Sequence, residues 1–201
     1  MPGAIMIVGA VVLAAGKSER MKQNKLLLNL NGKTLIENVL DALSTAGINE
    51  QVVVLGHKLE QIVEIIKPRL GNVKIALNVD YEKGMISSFQ TGLIVISNVE
   101  AAFLILGDQP IMDPNLLTTM IQKMENNSEA LIVCPVNRGK EGHPLLFKRE
   151  LFSEIMSLDE TQTIRDVVHA HSDKLLMVEA PVWSILDIDT PEDYARLSDS
   201  T

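Results

Sequence analysis

Residues 5–15, IMIVGAVVLAA, form an apolar run of 11 residues that stops at Gly16. The run is about half the ~20 residues a helix needs to cross a bilayer. No Lys or Arg precedes it, as a secretory leader would require. A strand that is apolar on both faces belongs in the middle of a parallel sheet with helices on either side. Just beyond Gly16 the character inverts. Lys17, Arg20, Lys22 and Lys25 fall within nine residues, and Leu26, Leu27 and Leu28 then return to apolar character. A strand that ends in glycine and a group of cations presents N–H groups and positive charge to phosphates.

The rest of the chain repeats the strand signal. Apolar, β-branched runs recur at 51–55, 73–79, 101–106 and 130–135 after the first at 5–13. Helical patterns lie between them, at about 34–46, 58–67, 86–97 and 114–126. This alternation predicts βαβ units and a mainly parallel sheet. Thr34 and Glu37 make a capping box. Asp113 before Pro114 and Thr190 before Pro191 place an N-cap ahead of proline at N1, and Gly47 closes a helix. After Pro135 the pattern changes. Residues 137–143, NRGKEGH, read as a polar loop, 144–147 as a short apolar run, 149–158 as a helix, and 175–178 and 184–188 as strands. That predicts some antiparallel character in the last third, within the same domain.

Composition narrows the functions available. At 201 residues the chain has the length of one domain and can bury roughly 70% of its unfolded surface. Its one cysteine, Cys134, excludes an internal disulfide and a cysteine-built zinc site, and fits a reducing cytoplasm. A net charge of −8, a sequence pI of about 5.0 and 3% aromatics argue against nucleic-acid binding. The cations after Gly16 therefore point to a small anionic ligand.

Gly16-Lys17-Ser18 is not a P-loop, because that motif needs a glycine five positions earlier and Val11 stands there. No G-x-G-x-x-G is present either. Small residues at Ala14, Ala15 and Gly16 let a ligand lie against the backbone. Lys25 is anchored by the leucines that follow it, so its ammonium can reach back to a phosphate. Asp108, in LGDQP, lies just past the carboxyl end of a strand, where open α/β sheets bind ligands. In DIDTPEDY, Thr190, Glu192 and Asp193 suit a helix start, which leaves Asp189 as a candidate ligand. Gly84, Ser87 and Ser88 either cap a helix or hold a sugar or base. Gly142 and His143 sit in a short loop. His57, His169, His171 and Cys134 read as structural.

Six stretches, LAAGKSERM, NKLLL, GMISSFQTGL, LGDQP, GHPLLF and DIDTPEDY, occur in this order over nearly the whole chain. Together they resemble the MobA-like nucleotidyltransferases, and most closely the molybdenum cofactor cytidylyltransferase family. The resemblance implies a Rossmann-like three-layer α/β sandwich, mainly parallel with some antiparallel strands, of the nucleotide-diphospho-sugar-transferase type. It implies one nucleotidyltransferase domain over 1–201, with a nucleotide-binding half to about 135 and an acceptor-binding half over 136–201. Leu13, Ala14, Ala15, Gly16, Lys17, Ser18 and Lys25 would hold the nucleoside triphosphate, with Arg20 and Lys25 acting on its phosphates. Asn78, Gly84, Ser87 and Ser88 would line the nucleoside site. Asp108 and Asp189 would ligate Mg²⁺, and Gly142 and His143 would face the acceptor. Lys22 stands where that family usually has glycine.

The implied reaction moves CMP from CTP to the phosphate of molybdopterin or molybdenum cofactor, with a molybdenum hydroxylase as the recipient of the product and no membrane partner. Ala15, in LAAG rather than LAGG, resembles the members that use CTP. Two other readings share these residues. One is a cytidylyl- or uridylyltransferase for a sugar or alcohol phosphate. The other is a pterin-cofactor carrier that serves as an insertion chaperone. The missing glycine fingerprint counts against an NAD(P)-linked reductase.

Overall fold

β1 (Val8–Ala14) buries nearly all of its side chains. Val8, Ala10, Val12 and Ala14 enter one apolar cluster and Val11 enters another, as the period of two in a strand dictates. From β1 the chain runs through β2 (Asn29–Leu30), β3 (Lys33–Thr34), α1 (Leu35–Thr45), β4 (Glu50–Leu55), α2 (Leu59–Ile66) and β5 (Val73–Leu77). Next come α3 (Met85–Val95), β6 (Ala101–Leu106), α4 (Pro114–Glu125), β7 (Ile132–Asn137), β8 (Lys140–Glu141) and β9 (Leu145–Lys148). The chain closes with α5 (Phe152–Ser157), α6 (Ile164–Ala170), β10 (Leu175–Glu179) and α7 (Pro191–Ser198). This computed structural model describes residues 6–16, 24–57, 59–96, 98–186 and 190–198.

Among the described residues eight strands form one sheet, ordered β10–β7–β9–β6–β1–β4–β5, with β8 on β7. β1 pairs parallel with β4 and β6, β4 with β5, and β7 with β10. β9 runs antiparallel between β6 and β7. α1, α2 and α4 cover one face, where Leu40, Ile62 and Met120 join Val12. α3, α5 and α6 cover the other, where Phe89, Ile155 and Val167 join Val11, Val54 and Leu104. The result is the three-layer, mainly parallel sandwich that the alternation implies.

The caps follow the sequence. Thr34 and Glu37 exchange both bonds of a capping box, and Asp113 Oδ1 accepts from Asn115 N at 2.8 Å. At Thr190 the reciprocal partner is Asp193, whose Oδ2 accepts from the Thr190 hydroxyl at 2.8 Å. The expected strand at 184–188 is a correction. Ser184 and Ile185 belong to a 3-10 turn, Val182–Ile185, capped by Leu186, in which the Ser184 hydroxyl donates to Pro181 O at 2.8 Å. The β2–β3 hairpin, β8 and α6 have no counterpart in the expected elements.

Candidate active site

The site gathers at the carboxyl ends of β1 and β6. Asn24 Oδ1 accepts from Leu26 N at 3.1 Å and caps a single 3-10 turn, Lys25–Leu27. Leu26 sinks into the core, and Leu28 packs with Leu30 and Leu35. Anchored on both sides, Lys25 is only 9% exposed. Its Nζ lies 3.8 Å from Asp108 Oδ2, and the Asp108 side chain keeps 40% of its exposure. Asp108 comes two residues after β6 because Gly107 N donates to Leu13 O at 3.0 Å, extending the parallel ladder by one rung. A Cβ on Gly107 would stand 2.8 Å from Leu13 O and 2.9 Å from Leu26 Cδ2. The glycine of LGDQP thus lets the lysine turn approach the strand end.

A cavity of about 750 Å³ opens beside Asp108. Asp108 and Gln109 form one wall and Gly84 with Met85, at the start of α3, a second. Gly142, His143 and Ser184 form a third, and the start of α6 closes the far side. Lys83, Lys140 and Arg165 share the lining with Glu141 and Glu160, so the cavity carries charge of both signs.

The expected nucleoside residues are brought together, chiefly by one another. Asn78 Nδ2 donates to Ser87 Oγ at 2.9 Å and to Ser88 Oγ at 3.0 Å, and Asn78 Oδ1 accepts from Asp80 N at 2.9 Å. Ser87 Oγ in turn donates to the carbonyls of Asp80 and Gly84. This brace ties the end of β5 to the start of α3. Of the four residues, Gly84, at φ 95°, lines the large cavity. Ser87 lines a second cavity of about 320 Å³. Ala14 and Ala15 are buried at the end of β1, Leu13 is partly buried beside them, and Gly16 is exposed. Lys17, Ser18, Arg20, Lys22, Asp187 and Asp189 lie outside the described residues.

At the residues expected to face the acceptor, Gly142 N donates to Pro135 O at 2.8 Å and His143 N to Ser184 O at 2.9 Å. Gln109 Nε2 donates to His143 O at 2.9 Å. Gln109 therefore ties the end of β6 to the turn before β9. It stood inside a quoted motif, yet its role depends on a neighbour far along the chain. The start of α6 was likewise missed, although Thr163 and Asp166 form a capping box that could be read from the sequence. Of the other singled-out side chains, His57 and His171 do not line this wall, whereas the Cys134 thiol donates to Gly142 O at 3.8 Å from behind it. His171 Nε2 lies 2.8 Å from Glu154 Oε2, and the His57 ring stands 6.1 Å from that of Tyr81. Cys134 is buried, and that burial pushes its thiol up to about 11. Tyr194, on α7, donates its hydroxyl to Asn29 O and packs against Leu28, Leu30 and Leu35. It links DIDTPEDY to the lysine turn.

The class is that of α/β nucleotidyltransferases. The family profile of the MobA-like NTP transferase domain matches residues 10–175, and the chain belongs to that family. A probable molybdenum cofactor guanylyltransferase from Natranaerobius thermophilus is 27% identical, with 94% of each chain covered. The crystal structure of Rv0371c from Mycobacterium tuberculosis H37Rv superposes with a TM-score of 0.84 at 25% identity, over 98% of this chain and 100% of that one. Its complex with manganese gives 0.80 at 26% identity, over 96% and 99%. A nucleotidyl transferase from a Methanothermobacter gives 0.82 at 25% identity, over 96% and 97%. Among the described residues no helix is long and apolar enough to cross a membrane.

Proposed function

We propose that this nucleotidyltransferase moves CMP from CTP to the terminal phosphate of molybdopterin, or of its metal-loaded form, and releases pyrophosphate. The observation that carries this reading is the buried Lys25 beside Asp108, which itself lines a cavity of about 750 Å³. That volume is in the range of small-molecule sites. The choice of CTP rests on Ala15, the residue by which the resemblance separates cytidylyl from guanylyl transfer. Ala15 is 4% exposed and its methyl faces Gly56, where an added Cβ would come within 2.9 Å.

The attacking group is a phosphate oxyanion, so no general base is needed. A bond forms from the acceptor oxygen to the α-phosphorus while the bond to the pyrophosphate oxygen breaks. Catalysis then comes from alignment and charge neutralisation. Lys25, held in place by its burial, neutralises the leaving pyrophosphate together with Arg20 and the amides after Ala14. Gly84 and the Asn78–Ser87–Ser88 brace frame the nucleoside side. Gly142 and His143 frame the acceptor side.

A divalent cation fits this donor set. Asp108 offers a half-exposed carboxylate, and among the described residues no three His, Cys, Asp or Glu gather to hold a metal alone. Mg²⁺ is commonly held by one or two carboxylates plus phosphate oxygens. Asp108, with Asp189, would hold it, and when bound it supplies charge neutralisation at the α-phosphate.

The test is pyrophosphate release with CTP, GTP, ATP and UTP, with and without molybdopterin, in Mg²⁺ or Mn²⁺, on the wild type and Ala15→Gly. The expected result is release with CTP and molybdopterin, with Ala15→Gly gaining GTP use. A wild type that prefers GTP refutes the CTP assignment. Turnover with sugar phosphates alone moves the acceptor, and tight pterin binding without turnover makes the protein a carrier.

A further inference from the structure

Gln90 sits within GMISSFQTGL, in the middle of α3, and has no part in the chemistry above. Its side chain leaves its own helix. Nε2 donates to Ile155 O at 2.9 Å and to Leu158 O at 3.0 Å. These carbonyls lie at the C-terminal end of α5, where Ile155 O also accepts from the Leu158 N–H at 3.3 Å and Leu158 is the C-cap. Both protons of one amide thus go to one helix end.

The chain that leaves this end is thinly held. Leu158 packs at the edge of the core, but residues 159–163 are all exposed before Ile164 is buried again. The segment winds on itself. Asp159 Oδ1 accepts from Thr161 N at 2.8 Å, and Asp159 N donates to Gln162 Oε1 at 3.2 Å. Glu160, Gln162 and Thr163 line the large cavity. Behind the same segment lies the cavity of about 320 Å³, lined by Ser87, Gln90, Leu158 and Asp159. The segment therefore lines both cavities, and Gln90 reaches its root from α3.

We infer that Gln90 is a positioning residue. It fixes residues 158–163 as a wall of the cavity and so sets affinity for the acceptor. The second half of this statement rests on reading that cavity as the acceptor site. The link runs from the middle of the helix whose first turn faces the same cavity, so one element frames the space and braces its far wall.

The test uses Gln90→Met, which keeps the length and loses the donors, and Gln90→Arg, which keeps N–H donors at this place. Gln90→Glu serves as a second donor-free variant should Gln90→Met not fold. Amide exchange across 158–163 is expected to quicken about 10-fold without donors, the effect of losing one or two hydrogen bonds, and to recover in Gln90→Arg. In turnover assays the donor-free variant is expected to raise the acceptor KM ~5–10-fold, with kcat and the nucleotide KM within about twofold. Unchanged exchange overturns the inference. So does faster exchange with an unchanged acceptor KM, and so does a parallel rise in both KM values with a lower Tm. A wild type that turns over no acceptor marks failure of the functional reading instead, and the exchange measurement then decides alone whether Gln90 holds the wall.

Discussion

Replacing Gly142 with alanine tests how the wall proposed to face the acceptor is built. Gly142 lies directly under the turn that follows β10. A Cβ there would stand 2.3 Å from Ser184 O, 2.9 Å from Ser184 C and 3.0 Å from Ile185 Cγ2. Carbon and oxygen rest ~3.2 Å apart at van der Waals contact, so the overlap is about 1 Å and falls on backbone. No rotamer relieves it. Either the 182–185 turn lifts or the turn at 142–143 drops, and the His143 N to Ser184 O bond of 2.9 Å lengthens in both cases. Overpacking of this kind costs about 1–3 kcal/mol. For a chain of this size each kcal/mol lowers Tm by about 2–4 °C, so the expected fall is ~2–12 °C. Because His143 and Ser184 line the cavity, the acceptor KM is expected to rise ~10-fold while the nucleotide KM stays within about twofold. Calorimetry and two-substrate kinetics read both effects. A Tm within about 1 °C of wild type, together with an unchanged acceptor KM, would refute the close approach and the role given to it.

Three other outcomes follow from the same geometry. Lys25→Ala and Asp108→Ala are each expected to lower pyrophosphate release ~100-fold with the fold retained, and wild-type turnover in either removes that residue from the site. Cys134 is buried with its thiol pushed up to about 11, so a thiolate-dependent reagent at neutral pH should leave the native protein unlabelled and react only on unfolding. Prompt labelling of folded protein contradicts this. At the start of α1, the Thr34 N–H holds Glu37 below its usual value, with Arg69 adding to the effect. Burial pushes Asp41 up, but hydrogen bonds from Lys33 and Arg69 outweigh it and lower it overall. Both groups are more acidic folded than unfolded. Their contribution to stability is therefore full above the unfolded values of 4.5 and 3.8, and is lost as pH falls through the lower folded ones. Arg69→Met should make Tm less sensitive to acid below about pH 4.5, and an identical Tm–pH curve refutes the assignment.

The sheet was readable in the sequence because its strands are apolar on both faces, and only helices on each side satisfy such runs. The caps were readable because Thr34, Asp113 and Thr190 act on residues two or three positions away. What lay outside local pattern was missed. SILDI looks like a strand, since short apolar runs do not fix their own secondary structure. In the structure Pro181 begins a 3-10 turn, and Ser184 O is taken up by the distant His143 N. α6 is only seven residues long and mostly polar outside its buried Ile164, Val167 and Val168. At the site, Lys25 and Asp108 could each be picked out by position relative to a strand end. Their approach needed the β1–β6 pairing, which no spacing reveals. The bond from Gln109 to His143 needed β9 laid against β6.

β9 has a further consequence because of its direction. It runs against both of its neighbours, β6 and β7. Four strand residues rise ~13 Å, so a parallel strand in this place would begin at the opposite edge of the sheet. Reversed, it begins at the end of the sheet where Asp108 stands, and the β7–β8 hairpin ahead of it carries Arg138 and Gly139 at its tip, at φ 51° and 80°. That turn can lengthen, shorten or change its chemistry without moving a rung of the parallel ladder. If this segment faces the acceptor as proposed, acceptor choice is separable from nucleotide choice, and chimeras that exchange residues 137–143 between relatives should switch the first while leaving the second in place.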